Sequence, residues 1–291
     1  MQQSPPIQWF PGHMAKTKRQ MEKDIRLVDA VAEILDARIP ESSRNPDLNR
    51  LAKGKPRMVL LNKADLADPV LMRGWISHFQ SLQYGAIAVD CRSGRGLNEF
   101  LPLAQTILKE KLDSWKAKGM AGRRIRILVA GIPNVGKSSL INRLSKNSRA
   151  SVEDRPGVTR SSQWFPVGRE MEILDTPGIL WPKFDDLAVG ERLAFTGAIR
   201  DNILDTETLA CRLLEILRDR YAGLLAQRYR LDNDISGLSG EELLRLIGKK
   251  RGMLVGGGEV DTERASIMLL DEFRAGKIGR ITLEKAGDSN A

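Results

Sequence analysis

The sequence predicts an α/β domain with a parallel-rich sheet, followed by an all-helical domain, and three observations carry that reading. Short apolar runs, "AVAEILDAR", "PRMVLLN", "GAIAVDC", "IRILVAGI" and "MEILDTPG", alternate with segments of helical period. That alternation builds a parallel sheet with helices on both faces. A glycine-rich stretch, "GIPNVGKSS", joins one of these strands directly to a helix. From about Thr206 the β-branched runs stop and only helical periodicity remains.

The elements follow in order. Residues 1–28 read as an arm and a first helix: "MQQSPPIQWFPG" is polar and broken by Pro and Gly, then Met14, Met21, Ile25 and Val28 recur at near-helical spacing. The α/β domain is expected over 29–185. Its first strand leads into a loop with a short helix, "IPESSRNPDLNRLAKGK". The second strand leads into the helix "DPVLMRGWISHFQSL", and the third into "GLNEFLPLAQTILKEKLDSWKAK", which reads as one long amphipathic helix. "GMAGRR" is a Gly/basic linker, and "KSSLINRLS" is the helix after the glycine-rich stretch. The helical domain is expected over 200–291, with "GMLVGGGEVD" as a linker inside it, because no Lys-Ser or Lys-Thr follows those glycines.

Composition narrows the function. Lys and Arg number 46 against 37 Asp and Glu, a net charge of +9, which favours a polyanionic partner such as nucleic acid. Cys91 and Cys211 are the only cysteines, so neither a disulfide framework nor a zinc site is expected, and a reducing compartment fits. No signal peptide and no apolar run of about 18 residues is visible, so a soluble cytoplasmic protein without stable membrane association is expected.

"GIPNVGKS" satisfies G-x-x-x-x-G-K-[ST] between a strand and a helix. Gly131 and Gly136 let successive amides turn inward around phosphate oxygens, and the helix N-terminus faces the same anion. Lys137 supplies a cation to the β- and γ-phosphates and the Ser138 hydroxyl a ligand to Mg²⁺, with Pro133, Asn134, Val135 and Ser139 completing the loop. "DTPG" closes a later strand: Asp175 is placed to hold Mg²⁺, and the Gly178 amide to bond the γ-phosphate. Between them, in "RPGVTRSS", Thr159 is the candidate switch threonine, because its branched side chain holds the hydroxyl in fewer rotamers than Ser161 or Ser162.

A guanine-reading element, "NKAD", comes before all of these. Asp65 can accept both N1–H and N2–H₂ of guanine, a donor pair that adenine lacks. Asn62 would tie the element to the phosphate loop, and the Lys63 stem would lie along the ring. "VDCRSGRGL" follows the next strand and resembles a base loop, with Cys91 at its centre, Arg92 after it, and a backbone N–H there meeting guanine O6. In an ordinary GTPase the base reader follows the phosphate loop. Here it precedes it, which is a circular permutation, and a parallel sheet tolerates one because it needs adjacent strands rather than a particular chain start.

With "WFPGHMAK", "LDARIPESSRNP", "NKADL", "GIPNVGKSSLIN", "RPGVT", "DTPGIL" and "LLDEFRAGKIGRITLE", the chain resembles the circularly permuted GTPases of the ribosome biogenesis GTPase A type over nearly its whole length. The resemblance implies GTP/GDP and Mg²⁺ binding, slow hydrolysis stimulated by the ribosome, and a role in late assembly of the large ribosomal subunit through contact with its RNA. The alternative is a GTPase switch acting on a protein or membrane partner. Asp90 departs from the small residue usual in the base loop.

Ile179 and Leu180 stand where many GTPases carry a water-orienting Gln, so intrinsic turnover should be slow. His13, between Pro and Gly punctuation and "MAK", is the candidate catalytic group in its stead. Asn134 is a candidate K⁺ ligand by analogy with related GTPases. Lys249, Lys250, Arg251, Arg274, Lys277 and Arg280 are the candidate phosphate contacts of the helical domain.

Overall fold

Every residue of strand β1 (Ala30–Asp36) is buried, which a strand achieves when both sheet faces are covered and neighbours flank it on each side. The computed structural model that shows this describes residues 14–120, 122–146, 162–176, 186–199, 205–231 and 234–287. His13, Thr159 and Gly178 lie outside them. Helix α1 (Met14–Arg26) precedes β1, and α2 (Pro46–Leu51), β2 (Arg57–Asn62), α3 (Pro69–Ser81) and β3 (Gly85–Ala88) follow it. Then come α4 (Phe100–Ile107), α5 (Lys109–Ala117), β4 (Ile125–Ala130), α6 (Lys137–Lys146), β5 (Gln163–Val167) and β6 (Met171–Asp175). The remaining helices are α7 (Leu187–Phe195), α8 (Thr206–Tyr229), α9 (Gly240–Lys250) and α10 (Thr262–Arg274).

The six-stranded sheet has the order β3-β2-β1-β4-β6-β5. All pairings are parallel except that of β5 with β6. On one face Met21 and Ile25 of α1 and Leu48 of α2 meet Val31, Leu128 and Leu174. Farther along it, Trp75 and Phe79 of α3 meet Leu35, Val59 and Leu61. Caps fix the helix starts: Asp68 accepts the amides of Val70 and Leu71, and Asn45 that of Asp47, each just ahead of a proline.

Three features differ from the sequence reading. β5 is an edge strand carrying Pro166, half-exposed and antiparallel, so it lacks the apolar run of a buried strand. α7 is nine residues long with Gly190 inside it, too short and weakly periodic to stand out. The long helix expected after β3 is two, broken at Leu108, whose φ −103° and ψ 8° end one and begin the other.

Two compact units divide the chain: Met1–Phe184 together with Glu284–Ala291, and Asp185–Leu283. The second unit buries Leu213, Leu214 and Leu217 of α8, Leu243, Leu244 and Ile247 of α9, and Leu269, Leu270 and Phe273 of α10. Its buried carboxylate, Glu272, accepts from Arg228 Nε at 2.9 Å and Tyr229 Oη at 3.0 Å, and Arg251 Nη2 stands 3.5 Å away. Helix α8 bends at Tyr221 (φ −139°, ψ 33°), whose hydroxyl donates to Thr282 O at 2.9 Å and accepts from Thr282 N at 3.1 Å.

After the second unit the chain returns to the first. The Glu284 carboxylate accepts from Glu41 N at 2.6 Å, from Ser42 N at 3.0 Å, and from the Ser42 hydroxyl. Trp75 Nε1 donates to Glu284 O at 3.1 Å. Replacing Glu284 with Ala removes the acceptor of the Glu41 amide and of the buried Ser42 amide and hydroxyl, while Trp75 keeps the backbone carbonyl. Urea denaturation should show the first unit destabilised by roughly 1–3 kcal/mol, whereas an unchanged midpoint would show that the Glu284 carboxylate carries no stability.

Candidate functional site

Parallel strands deliver their following loops to one end of the sheet, and the candidates among the described residues gather there. β4 runs into the glycine-rich loop, which runs into α6. A Cβ on Gly131 would stand 2.7 Å from Ile34 Cγ2 and 2.8 Å from Ile34 O, so only glycine passes so close to β1. Gly136 has φ +102°, and a Cβ there would lie 2.2 Å from Asn62 Nδ2. Asn134 also adopts a left-handed φ of 61° and is exposed. Val135 is buried, Pro133 and Ser138 are half-buried, and Ser139 is exposed. Lys137 is buried, with Nζ 3.3 Å from Asp175 Oδ1. Asp175 pairs in register with Val129 at the end of β6, and the Thr176 hydroxyl donates to Val129 O at 3.0 Å.

The base-reader candidates join the same cluster. Asn62, at the end of β2, donates from Nδ2 to Val135 O at 2.6 Å and accepts from Cys91 N at Oδ1 at 2.9 Å. One amide side chain therefore bridges three loops. Ala64 N donates to Val89 O at 3.1 Å, a second tie between the ends of β2 and β3. Asp65 is exposed, three residues beyond Asn62. Lys63 has φ +60°, and its Nζ lies 2.9 Å from Asp36 Oδ2.

The base loop is held by its own hydrogen bonds. Cys91 N is engaged by Asn62, and Asp90 Oδ1 accepts Arg92 N at 2.8 Å and Ser93 N at 3.2 Å. The carboxylate at the departing position thus folds the turn itself. Burial alone would raise the Asp90 carboxyl, but its bonds from Ser93 and Arg92 outweigh that and hold it below the usual carboxylate range. Burial, with Asp90 beside it, pushes the Cys91 thiol up to about 12, so it is not a nucleophile at neutral pH. Arg143 of α6 donates to Arg92 O, a further tie from the phosphate-side helix to the base loop. Sequence reasoning missed Arg143, Thr176 and Asp36. Of these only Asp36 left a visible signal, as a second charged residue, after Glu33, in an otherwise apolar strand.

The cluster has the chemistry of a nucleotide site: a glycine-shaped ring of amides, a buried lysine, and a carboxylate exposed on the neighbouring loop. Hard oxygen donors, the Ser138 hydroxyl and the Asp175 carboxylate, flank the same loop and suit Mg²⁺. No group of three or more His, Cys, Asp or Glu is placed to hold a metal among the described residues, so such an ion would need phosphate and hydroxyl oxygens as well.

Comparison with known proteins agrees. A family profile described as 50S ribosome-binding GTPase matches residues 126–236. The Ribosome biogenesis GTPase A of Bacillus cereus is 49% identical over 278 residues, spanning 96% of this chain and 93% of that protein. The chain belongs to the ribosome biogenesis GTPase A family.

That of Bacillus licheniformis is 48% identical over 97% of this chain and 99% of its own length. The GDP-bound structure of TM YlqF superposes with a TM-score of 0.66 at 28% identity, covering 93% of this chain and all of that one. GNP-bound YlqF from T. maritima gives 0.60 at 28% identity. Like other ribosome biogenesis GTPases A, the chain is a circularly permuted P-loop GTPase that binds guanine nucleotide and hydrolyses GTP. The profile starts at β4 because the strands carrying "NKAD" and the base loop precede it here.

The Asn62 bridge generates a prediction. Asn62→Ala removes both bonds and strands Val135 O and Cys91 N. GDP affinity measured by fluorescent-nucleotide titration should fall by about tenfold or more, the equivalent of at least 1.4 kcal/mol.

Proposed function

We propose that this GTPase is a cytoplasmic switch in late assembly of the large ribosomal subunit, contacting ribosomal RNA. The observation that supports the nucleotide part is the Asn62 bridge, which ties the loop carrying exposed Asp65 to Val135 in the loop carrying buried Lys137. On this reading Asp65 accepts the guanine N1–H and N2–H₂, while the amides of 131–138 and Lys137 hold the phosphates. Ser138, Asp175 and Thr159 would hold Mg²⁺, which when bound neutralises charge developing on the phosphates. Gly178 would bond the γ-phosphate. The roles given to His13, Thr159 and Gly178 rest on sequence alone. His13 would orient the attacking water, and Asn134 would help to bind K⁺.

The ribosomal part is supported by the names of the relatives, the net charge of +9, and exposed Lys249, Lys250, Lys277 and Arg280 in the second unit. Two of the basic candidates have structural work instead. Arg274 caps α7, donating to Phe195 O at 3.2 Å and Ala194 O at 2.9 Å. Arg251 leans on Glu272 and stacks over the Tyr229 ring at 5.2 Å. No described helix is long and apolar enough to cross a membrane.

Two measurements test this. GTP turnover should rise about tenfold or more when purified large subunits are added, as stimulated GTPases do, and should be faster in K⁺ than in Na⁺. Absence of stimulation removes the ribosomal reading, and equal rates in the two salts remove the K⁺ role. His13→Ala should lower the stimulated rate while GDP affinity holds; a full rate removes His13 from the mechanism.

A further inference from the structure

The last residue of β1 is a carboxylate, and it is almost fully buried. Asp36 Oδ1 accepts from Arg38 N at 3.0 Å and Arg38 Nε at 2.9 Å, and Oδ2 accepts from Arg38 Nη2 at 2.8 Å. Arg38 is itself buried, so this pair already neutralises the charge. Yet Lys63 also reaches Oδ2, at 2.9 Å. It does so from a left-handed backbone (φ +60°), a conformation that costs a residue with a Cβ. Burial would raise the Asp36 carboxyl, but Arg38 and Lys63 outweigh it and hold it well below the usual range, so it stays ionised at any working pH.

Topology gives the contact a direction. β1 lies between β2, which carries the base reader, and β4, which carries the phosphate loop. Asp36 stands opposite Asn62 in the β1–β2 register, and Ala37 N donates to Asn62 O at 2.8 Å. The Lys63 stem is therefore drawn from the end of β2 across the end of β1, toward the phosphate side. A nucleoside gripped by Asp65 at one end and residues 131–138 at the other must pass over that same strand end.

We infer that Asp36 is a positioning residue of the base site, anchoring the Lys63 ammonium so that its methylenes form a fixed rail beneath the nucleoside. The inference rests on the guanine-reading assignment of Asn62–Asp65. Asp36 touches no nucleotide in this scheme and acts only through Lys63. Its pairing with Arg38 sets the carboxylate in place, and the Ser43 hydroxyl, accepting from Asp36 N at 3.1 Å, fixes the backbone there.

The test is a double-substitution cycle on the full-length protein, read by fluorescent GDP titration. Asp36→Asn and Lys63→Met should each weaken GDP binding by about tenfold, and the double variant should be no more than about twofold worse than either. Losses that multiply, or an Asp36→Asn protein that binds GDP normally, overturn the inference. Should Asp36→Asn melt below the assay temperature, Lys63→Arg and Lys63→Gln decide instead. Arginine, able to keep the Asp36 contact, should stay within about threefold while glutamine loses about tenfold; equal losses overturn the anchor. Asp65→Asn with GDP and ADP separates the underlying assignment. If guanine preference survives that change, the base-reading assignment fails; if preference collapses but Asp36→Asn is inert, only the anchor fails.

Discussion

The architecture depends on one carboxamide. Asn62 sits at the end of β2, the phosphate loop follows β4, and β1 lies between them, so no strand-to-strand ladder joins the two directly. The side chain spans that gap by donating to Val135 O and accepting from Cys91 N. An amide can do both at once; a carboxylate or an aliphatic group of the same size cannot. The bridge also dictates its neighbour, since Asn62 Nδ2 fills the space where any side chain at Gly136 would begin. The phosphate loop and the loop carrying Asp65 are thus parts of a single hydrogen-bonded unit, reinforced by Ala64 to Val89 and Arg143 to Arg92.

Much of this was legible in the sequence because its physical causes are local. A buried parallel strand announces itself by a run of apolar residues, and a phosphate loop by glycines at fixed spacing before Lys-Ser. Elements that depend on distant partners were harder to see. β5 exists as a strand because β6 pairs with it, while its own residues, with Pro166 and an exposed Trp164, argue for a loop. The break at Leu108 leaves no proline or glycine to mark it. Asp90 read as a departure from pattern, and only the fold shows its carboxylate collecting the amides of the turn. Asp36 showed only as a charge in a largely apolar strand: what makes it notable is Lys63, farther along the chain.

The second unit shows the limits of reading charge from sequence. Six basic residues in it looked equivalent, yet Arg274 and Arg251 are committed to a helix end and to a buried carboxylate. Arginine's planar fork makes it the natural choice for such internal duties, whereas Lys249, Lys250 and Lys277 remain outward-facing. An RNA surface would then be built mainly from lysines and Arg280, which favours contact with phosphate over recognition of bases.

The returning tail has a consequence for how the protein is made. A growing polypeptide leaves the ribosome from its N-terminus, and here the strands β1, β2 and β3 form one contiguous half of the sheet, while β4, β6 and β5 form the other. Each half can zip up from neighbours synthesised within moments of one another. Glu284, however, is translated only after the entire second unit, and it is what closes over the amides of Glu41 and Ser42. The nucleotide-binding unit thus receives this fastening only after the second unit has been translated, so a nascent chain lacks it until that successor unit already exists.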